Sequence, residues 1–179
     1  MVQRKLSNTA FRLMQGFMKL VDHIHPHVKT RAETFGVKQG QTVVDYGCGP
    51  GRYSVEFARL VGPAGKVYAV DLVSLALQET KTKLEAAEFH NYELFLAQGY
   101  DSGILDEAAD MVFAIDMFHH IADTDAFLHE VFRITKPDGL MILSGGHMPY
   151  SSVKARIARS GIWELAEERK EYISYKKRS

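Results

Sequence analysis

The residues of this chain whose types and spacing could do chemistry are three acids, three closely spaced glycines and a pair of histidines. Asp45, Gly47, Gly49 and Gly51 stand together in Val43-Val44-Asp45-Tyr46-Gly47-Cys48-Gly49-Pro50-Gly51. Asp71 and Asp116 each close a further apolar run, and His119-His120 follow the second of these. Alternating glycines let the backbone turn tightly and let a ligand approach the main chain without a Cβ in the way. The helical pattern beginning at Arg52 would point its amide end at the same spot, which suits a polar or anionic ligand group. The spacing is Gly-x-Gly-x-Gly, unlike the Gly-x-Gly-x-x-Gly of dinucleotide-binding turns. An acid two residues before the first glycine would repel a pyrophosphate and attract an ammonium or sulfonium cation. The plain alternative is a tight strand-to-helix turn with no ligand. Histidine has the side-chain pKa nearest neutrality, so His119 or His120 could take a proton from a hydroxyl group. Adjacent residues generally point in different directions, so at most one of the two would face a shared pocket, with Asp116 a third candidate for the role. The alternative is that both histidines cap a helix start or shape a pocket wall.

The elements that must position these groups alternate between strand and helix patterns. Strands are predicted over residues 42–44, 66–70, 92–97, 110–116 and 140–143, and helices over 28–35, 52–61, 74–88, 123–135 and 151–160. Ser74 reads as the N-cap of its helix. Such alternation predicts a parallel sheet with helices on both faces. In an open sheet of this kind ligands bind beyond the carboxyl ends of the strands. Asp45, Gly47, Asp71, residues 98–101 and residues 116–120 all fall at such ends. An acid ending the second strand, here Asp71, is placed to hydrogen-bond ribose hydroxyls. Leu72 and Val73 lie just past it, placed to cover an adenine face.

The glycine run resembles motif I of the class I S-adenosylmethionine-dependent methyltransferases, usually Asp-x-Gly-x-Gly-x-Gly. Two other stretches are similar to that family: the lead-in Val37-Lys38-Gln39-Gly40-Gln41-Thr42, and Arg133-Ile134-Thr135-Lys136-Pro137-Asp138-Gly139 in place of Arg-x-Leu-Lys-Pro-Gly-Gly. Asp for the first glycine of that turn is a mild departure, because Asp tolerates turn conformations. The resemblance runs from about Val37 to Leu143. It points to a small, type 11-like member, in the broad group that includes quinone-biosynthesis methyltransferases.

The resemblance implies a Rossmann-like, doubly wound α/β fold whose seven-stranded, mostly parallel sheet ends in an antiparallel strand. Periodicity alone would also allow a helix over residues 162–170, but on the resemblance residues 162–168 and 172–177 are read as a terminal hairpin. It also implies S-adenosyl-L-methionine as cofactor, S-adenosyl-L-homocysteine as product and methyl transfer to an acceptor. Tyr46, Gly47, Cys48, Gly49 and Gly51 would cradle the methionine part, with Asp45 near its amino group. Asp71 and Leu72 would take the ribose and adenine. The family usually places an acid after the third strand for the adenine amino group; here the run is Gln98-Gly99-Tyr100-Asp101, and the contact is open among these residues. Asp116 would border the cofactor, and His119 and His120 would stand where the methyl meets the acceptor. His120 is preferred, because family members often carry a histidine there.

Composition sets the limits. With 46% hydrophobic and 25% charged residues among 179, the chain is globular and long enough for one core. A formal net charge of zero leaves no electrostatic footprint for nucleic acid. One cysteine, Cys48, excludes an intrachain disulfide and suggests a reducing, cytoplasmic setting. No apolar run is long enough to span a membrane, and no secretory signal pattern is present. Residues 1–36 read as a helical lid segment, with Phe11, Met14, Phe17, Met18 and Val21 on one stripe of a helix over 7–23. Residues 37–179 read as the cofactor-binding domain. The alternating His23, His25 and His27 beside Asp22 invite a metal reading, but a solvated linker stopped by Pro26 is favoured and no metal is expected. With almost no inserted substrate domain, the expected partner is a small-molecule methyl acceptor; a homodimer is left open. Two other readings stand beside methyl transfer: a non-catalytic S-adenosylmethionine-binding partner or sensor, and a nicotinamide-binding oxidoreductase.

Overall fold

A computed structural model of the chain describes residues 27–178. The helix expected over 7–23, its lid role and most of the histidine tract lie outside the described residues. His27 is the first residue of helix α1, His27–Thr34.

Seven strands form one sheet: β1 Thr42–Tyr46, β2 Lys66–Asp71, β3 Tyr92–Leu96, β4 Ala109–Ala114, β5 Thr135–Leu143, β6 Trp163–Glu168 and β7 Ile173–Lys177. Their order is β3-β2-β1-β4-β5-β7-β6. The first five strands run parallel, and β7 lies antiparallel between β5 and β6. Between them run α2 Arg52–Val61, α3 Ser74–Ala86, α4 Thr124–Ile134 and α5 Tyr150–Ser160, with a 3₁₀ turn at Phe118–His120. The doubly wound, mostly parallel architecture is the one expected, and residues 162–177 do form the terminal hairpin.

The central strands β1 and β4 are apolar on both faces because helices cover both. Side chains alternate across a strand, which sorts them into two cores. Val43, Met111 and Phe113 face a core closed by Phe57, Ala58 and Val61 of α2, with Ala32 of α1 and Phe35 just after it. Val44, Tyr46, Val112 and Ala114 face the other, closed by Phe127, Leu128 and Val131 of α4 and Val153 and Ile157 of α5. Phe35 meets the rings of Phe57, Phe113 and Tyr172, so α1 and the residue after it belong to the same core as the sheet. The period of two also fixes the site, turning Asp45 toward α2 and Tyr46 toward α4.

Local chemistry differs from the sequence expectation at two elements. Ser74 is not the cap of α3 but its first residue; Val73 holds the cap position without a side-chain bond. Asp71 shapes the turn instead, its Oδ1 accepting the Val73 amide at 2.8 Å. Strand β5 begins at Thr135, directly after α4, rather than at residue 140. The Lys-Pro-Asp-Gly stretch is absorbed as a register shift against β4, the place where a strand tolerates proline. Gly139 permits it, since a Cβ there would stand 3.0 Å from the Ala109 carbonyl oxygen. At α4 the Asp123 side chain accepts from the Ala126 amide at 3.0 Å, a standard N-cap bond. Among the described residues, no helix is long and apolar enough to cross a membrane, and no three His, Cys, Asp or Glu side chains could together hold a metal ion.

Candidate functional site

The loop after β1 is pinned from beneath. The amides of Gly47 and Cys48 both donate to the Val70 carbonyl of β2, at 2.8 and 3.0 Å. Gly47, Gly49 and Gly51 have φ of 76°, 53° and 74°, a region costly for residues with a Cβ. Each glycine has a different surrounding. A Cβ on Gly51 would lie 2.7 Å from Thr80 Oγ1, and one on Gly47 would lie 3.1 Å from Met117 Cε. A Cβ on Gly49 would meet nothing within 4 Å, so this peptide opens onto free space. Both its polar groups are held: the Gly49 amide donates to Asp71 Oδ2 at 2.9 Å, and Thr80 Oγ1 donates to its carbonyl at 3.1 Å. Cys48 is buried against Thr80, and burial pushes its thiol well above the ordinary range. It therefore behaves as a small core side chain rather than a nucleophile.

Two carboxylates lie beneath this loop. Asp45 is 3% exposed and accepts the Ser54 hydroxyl of α2 at 2.6 Å. Burial pushes its pKa up to about 7, and the charge of Asp71 adds to the rise. Burial also raises the pKa of Asp71, against the opposing pull of the amides of Val73 and Gly49. Burial opposes the ionisation of both acids, and a positively charged ligand beside them would favour their charged forms. The open face at Gly49 and this pair of carboxylate acceptors fit the ammonium, sulfonium and ribose of S-adenosylmethionine.

On the opposite face, Tyr46 is buried with its ring edge-on to Phe127 at 5.3 Å. Its hydroxyl donates to the Tyr100 carbonyl at 2.6 Å, while the Asp123 amide donates to the Tyr100 hydroxyl at 2.8 Å. These bonds fix the turn after β3, where Gln98 and Asp101 pair their backbones. Asp101 Oδ1 accepts the Gly103 amide at 2.9 Å. Gln98 and Gly99 are exposed, and the Gly99 position faces open space. Leu72 is half-buried against the α4-side core.

Beyond β4 the chain turns sharply at Asp116, which has φ 56°. Asp116 Oδ1 accepts the Ser144 hydroxyl at 2.7 Å, and Oδ2 accepts Arg31 Nη1 at 2.9 Å. Phe118 is fully buried, His119 half-buried and His120 exposed. The His119 and His120 rings lie 3.9 Å apart, with His147 at 5.6 Å from His119. His119 Nδ1 is buried without a hydrogen-bond partner, against Gly146. Burial, and then the neighbouring His120 and His147, hold the His119 pKa below its ordinary value.

The structure thus links Asp45, the glycine loop and Asp71 directly, and brings the turn after β4 to the loop through Met117. The turn after β3 joins through the Ala97 amide, which donates to the Asp71 carbonyl at 3.0 Å. Sequence reasoning missed Ser54, Thr80, Met117, Ser144 and Arg31. Thr80 carried a faint signal, a hydroxyl on the apolar stripe of α3 beside Leu77 and Leu84; the others carried none.

Against known proteins, residues 37–172 match a family described as Methyltransferase domain. A demethylmenaquinone methyltransferase of Geobacillus stearothermophilus is 28% identical over 128 residues, covering 70% of this chain and 55% of the relative. One from Listeria welshimeri is 31% identical over 116 residues, covering 63% and 49%. The chain spans about half the length of the curated relatives it matches. Among solved structures, a SAM dependent methyltransferase from Aquifex aeolicus superposes with a TM-score of 0.70 at 25% identity, covering 80% of this chain and 84% of that one. A Methanococcus maripaludis protein superposes over 100% of this chain and 98% of its own with a TM-score of 0.82; at 18% identity it shows the shared fold.

Proposed function

The chain belongs to the methyltransferase-domain family, and we propose that it binds S-adenosylmethionine and transfers the methyl group to a small-molecule acceptor. The observation that carries this reading is Gly49. Its peptide is held from both sides by Asp71 and Thr80, yet opens onto free space at the end of β1. Strand β1 lies between β2 and β4, at the point where the strand order reverses and open α/β sheets bind their ligands.

When bound, S-adenosylmethionine supplies a methyl group already activated by its sulfonium. The protein's part is binding, alignment and exclusion of water. Asp45 and Asp71 provide the negative charge that favours a cationic ligand over a pyrophosphate. Asp71 is placed for the ribose hydroxyls, and the turn from Gln98 to Tyr100, with Leu72, for the adenine. The segment from Asp116 to His120 forms the acceptor side. A histidine there would take the acceptor proton where the acceptor keeps one at neutral pH. The matched relatives are named for demethylmenaquinone, so a reduced quinone ring with an ionisable hydroxyl is the acceptor class to test first.

Titration calorimetry with S-adenosylmethionine, S-adenosylhomocysteine, NADH and NADPH tests the cofactor. Binding of the first two alone is expected; nicotinamide binding without a response to S-adenosylhomocysteine would overturn the reading. Labelled methyl transfer to reduced quinones, phenols, thiols and amines then identifies the acceptor.

A further inference from the structure

Asp116 is a non-glycine residue with a left-handed backbone, and it stands at the carboxyl end of the sheet. Aspartate is among the few residues that tolerate this region, at some cost that its surroundings can offset. Here they do. The Asp116 amide donates to Ser144 Oγ at 2.7 Å, and the Ser144 hydroxyl returns a bond to Asp116 Oδ1 at 2.7 Å. Ser144 is itself only 2% exposed. The second carboxylate oxygen is paired with Arg31, whose guanidinium also donates to the Tyr53 hydroxyl at 3.0 Å and the Glu171 carbonyl at 2.9 Å. Ser144, past the end of β5, and Arg31 of α1 therefore hold Asp116 directly, while α2 and the β6–β7 turn hold the guanidinium that pairs with it.

What this fixes is the path of the next four residues. Met117 is carried onto Gly47, where its Cγ and Cε limit the space above the glycine to 3.2 and 3.1 Å from a built Cβ. Phe118 is driven into the core, its ring 6.1 Å from that of Phe127. His119 is laid against Gly146, whose built Cβ would lie 2.9 Å from His119 Nδ1 and 3.6 Å from the Asp116 Cα. The His120 amide closes the turn on the Met117 carbonyl at 2.9 Å.

We infer that Asp116 is a positioning residue rather than the proton acceptor: its left-handed backbone, imposed by Ser144 and Arg31, sets Met117 against the glycine loop and so shapes the cofactor site. Both carboxylate oxygens hold a donor, Ser144 on one and Arg31 on the other, so the side chain anchors the turn. The inference rests on the cofactor reading, and its test separates the two.

The test compares Asp116→Asn, Asp116→Gly and Asp116→Val by S-adenosylhomocysteine calorimetry, at a temperature where circular dichroism shows each variant folded. Asn and Gly adopt a positive φ readily, whereas a β-branched residue does not. Affinity should fall by no more than about threefold for Asn, which tolerates a positive φ and keeps a side-chain oxygen for Ser144. It should fall by an intermediate amount for Gly, which loses the side-chain bonds to Ser144 and Arg31. For Val it should fall by about tenfold or more, since the strain of a misfit residue here is of that order. Equal affinity in all three variants would overturn the inference, as would Asn or Gly losing as much as Val. Should Asp116→Val not fold, Ser144→Ala stands in for it: affinity weakened about threefold or more supports the inference, and unchanged affinity overturns it. A parent protein that binds no S-adenosylhomocysteine overturns the cofactor reading itself.

Discussion

Asp71 Oδ2 accepts the amide of Gly49 at 2.9 Å, so the end of β2 holds the loop that follows β1. The carboxylate's other oxygen holds the Val73 amide that opens α3. One side chain therefore sets the shape of the loop and presents negative charge to whatever enters above it. That dual use explains why the acid ending β2 cannot be read as ligand-binding alone.

Asp71→Ala should weaken S-adenosylhomocysteine binding by about 1–3 kcal/mol, the range for a charge-assisted hydrogen bond with loss of the loop's support. Asp71→Asn should lose less, because its carbonyl oxygen can keep one backbone amide. Calorimetry on both variants checks this, and an alanine variant binding like the parent would remove Asp71 from the site.

Gly49→Ala and Gly51→Ala should separate ligand binding from folding. At Gly51 a methyl group would strike both Thr80 Oγ1 and the Thr80 backbone at 2.7–2.8 Å, on a residue with φ 74°. The expected loss is about 2–4 kcal/mol of stability, from overpacking added to backbone strain. At Gly49 the methyl group meets nothing, so stability should fall by only about 1–2 kcal/mol, from strain alone. It would nevertheless project into the space where the ligand is expected. Denaturant unfolding and S-adenosylhomocysteine titration on both variants give the comparison: a larger stability loss at residue 51, and a larger affinity loss relative to stability at residue 49.

The sheet was legible in the sequence because buried parallel strands leave unmistakable apolar runs, and the glycine spacing and strand-end acids marked one edge of it. The groups that tune the site were not legible. Ser54 reaches Asp45 only because α2 packs on that face of β1. Met117 reaches Gly47 only through the backbone turn at Asp116. Arg31 lies 85 positions from the acid it pairs with, and no local pattern encodes such a contact. Strand β5 starts at Thr135 rather than at residue 140 for a related reason. Proline and glycine in 137–139 look like a turn, but pairing with β4 absorbs them as a bulge.

Asp45 should make the protein less stable as pH rises. Its pKa in the fold is about 7 against an ordinary 3.8. The folded protein thus holds a proton between these values that the unfolded chain has lost. Its contribution is fully present below about pH 4 and is lost as pH rises through about 7. The half-buried His119 acts oppositely over a narrower window just below its ordinary 6.5, where the unfolded chain binds more proton than the fold. Asp45→Asn isolates the first effect. The variant should be more stable than the parent at about pH 8, by on the order of 2–4 kcal/mol at about 1.4 kcal/mol per pKa unit, and the gap should close toward about pH 4. Urea unfolding of both proteins across that range tests it; a gap independent of pH would show that Asp45 ionises normally in the fold.

His119 and His120 can be told apart by their surroundings. His120 is exposed, with its ring against His119. His119 has a buried Nδ1 without a partner, lies against Gly146 and has its pKa held down by burial and by two neighbouring histidines. A perturbed group beside the expected methyl path is the better candidate for proton transfer, so the surroundings favour His119 over the His120 that the family resemblance prefers. His119→Ala should therefore lower turnover by about 10²–10⁴-fold if the acceptor must lose a proton, with S-adenosylhomocysteine affinity nearly unchanged. His120→Ala should act like the parent. The acid limb of the parent's kcat/KM profile should lie below 6.5, the ordinary histidine value, because an imidazole with a lowered pKa stays unprotonated further into acid. His119→Ala should abolish that limb. Equal turnover in both alanine variants and the parent would leave neither histidine a chemical role, and methyl transfer would then proceed by alignment alone.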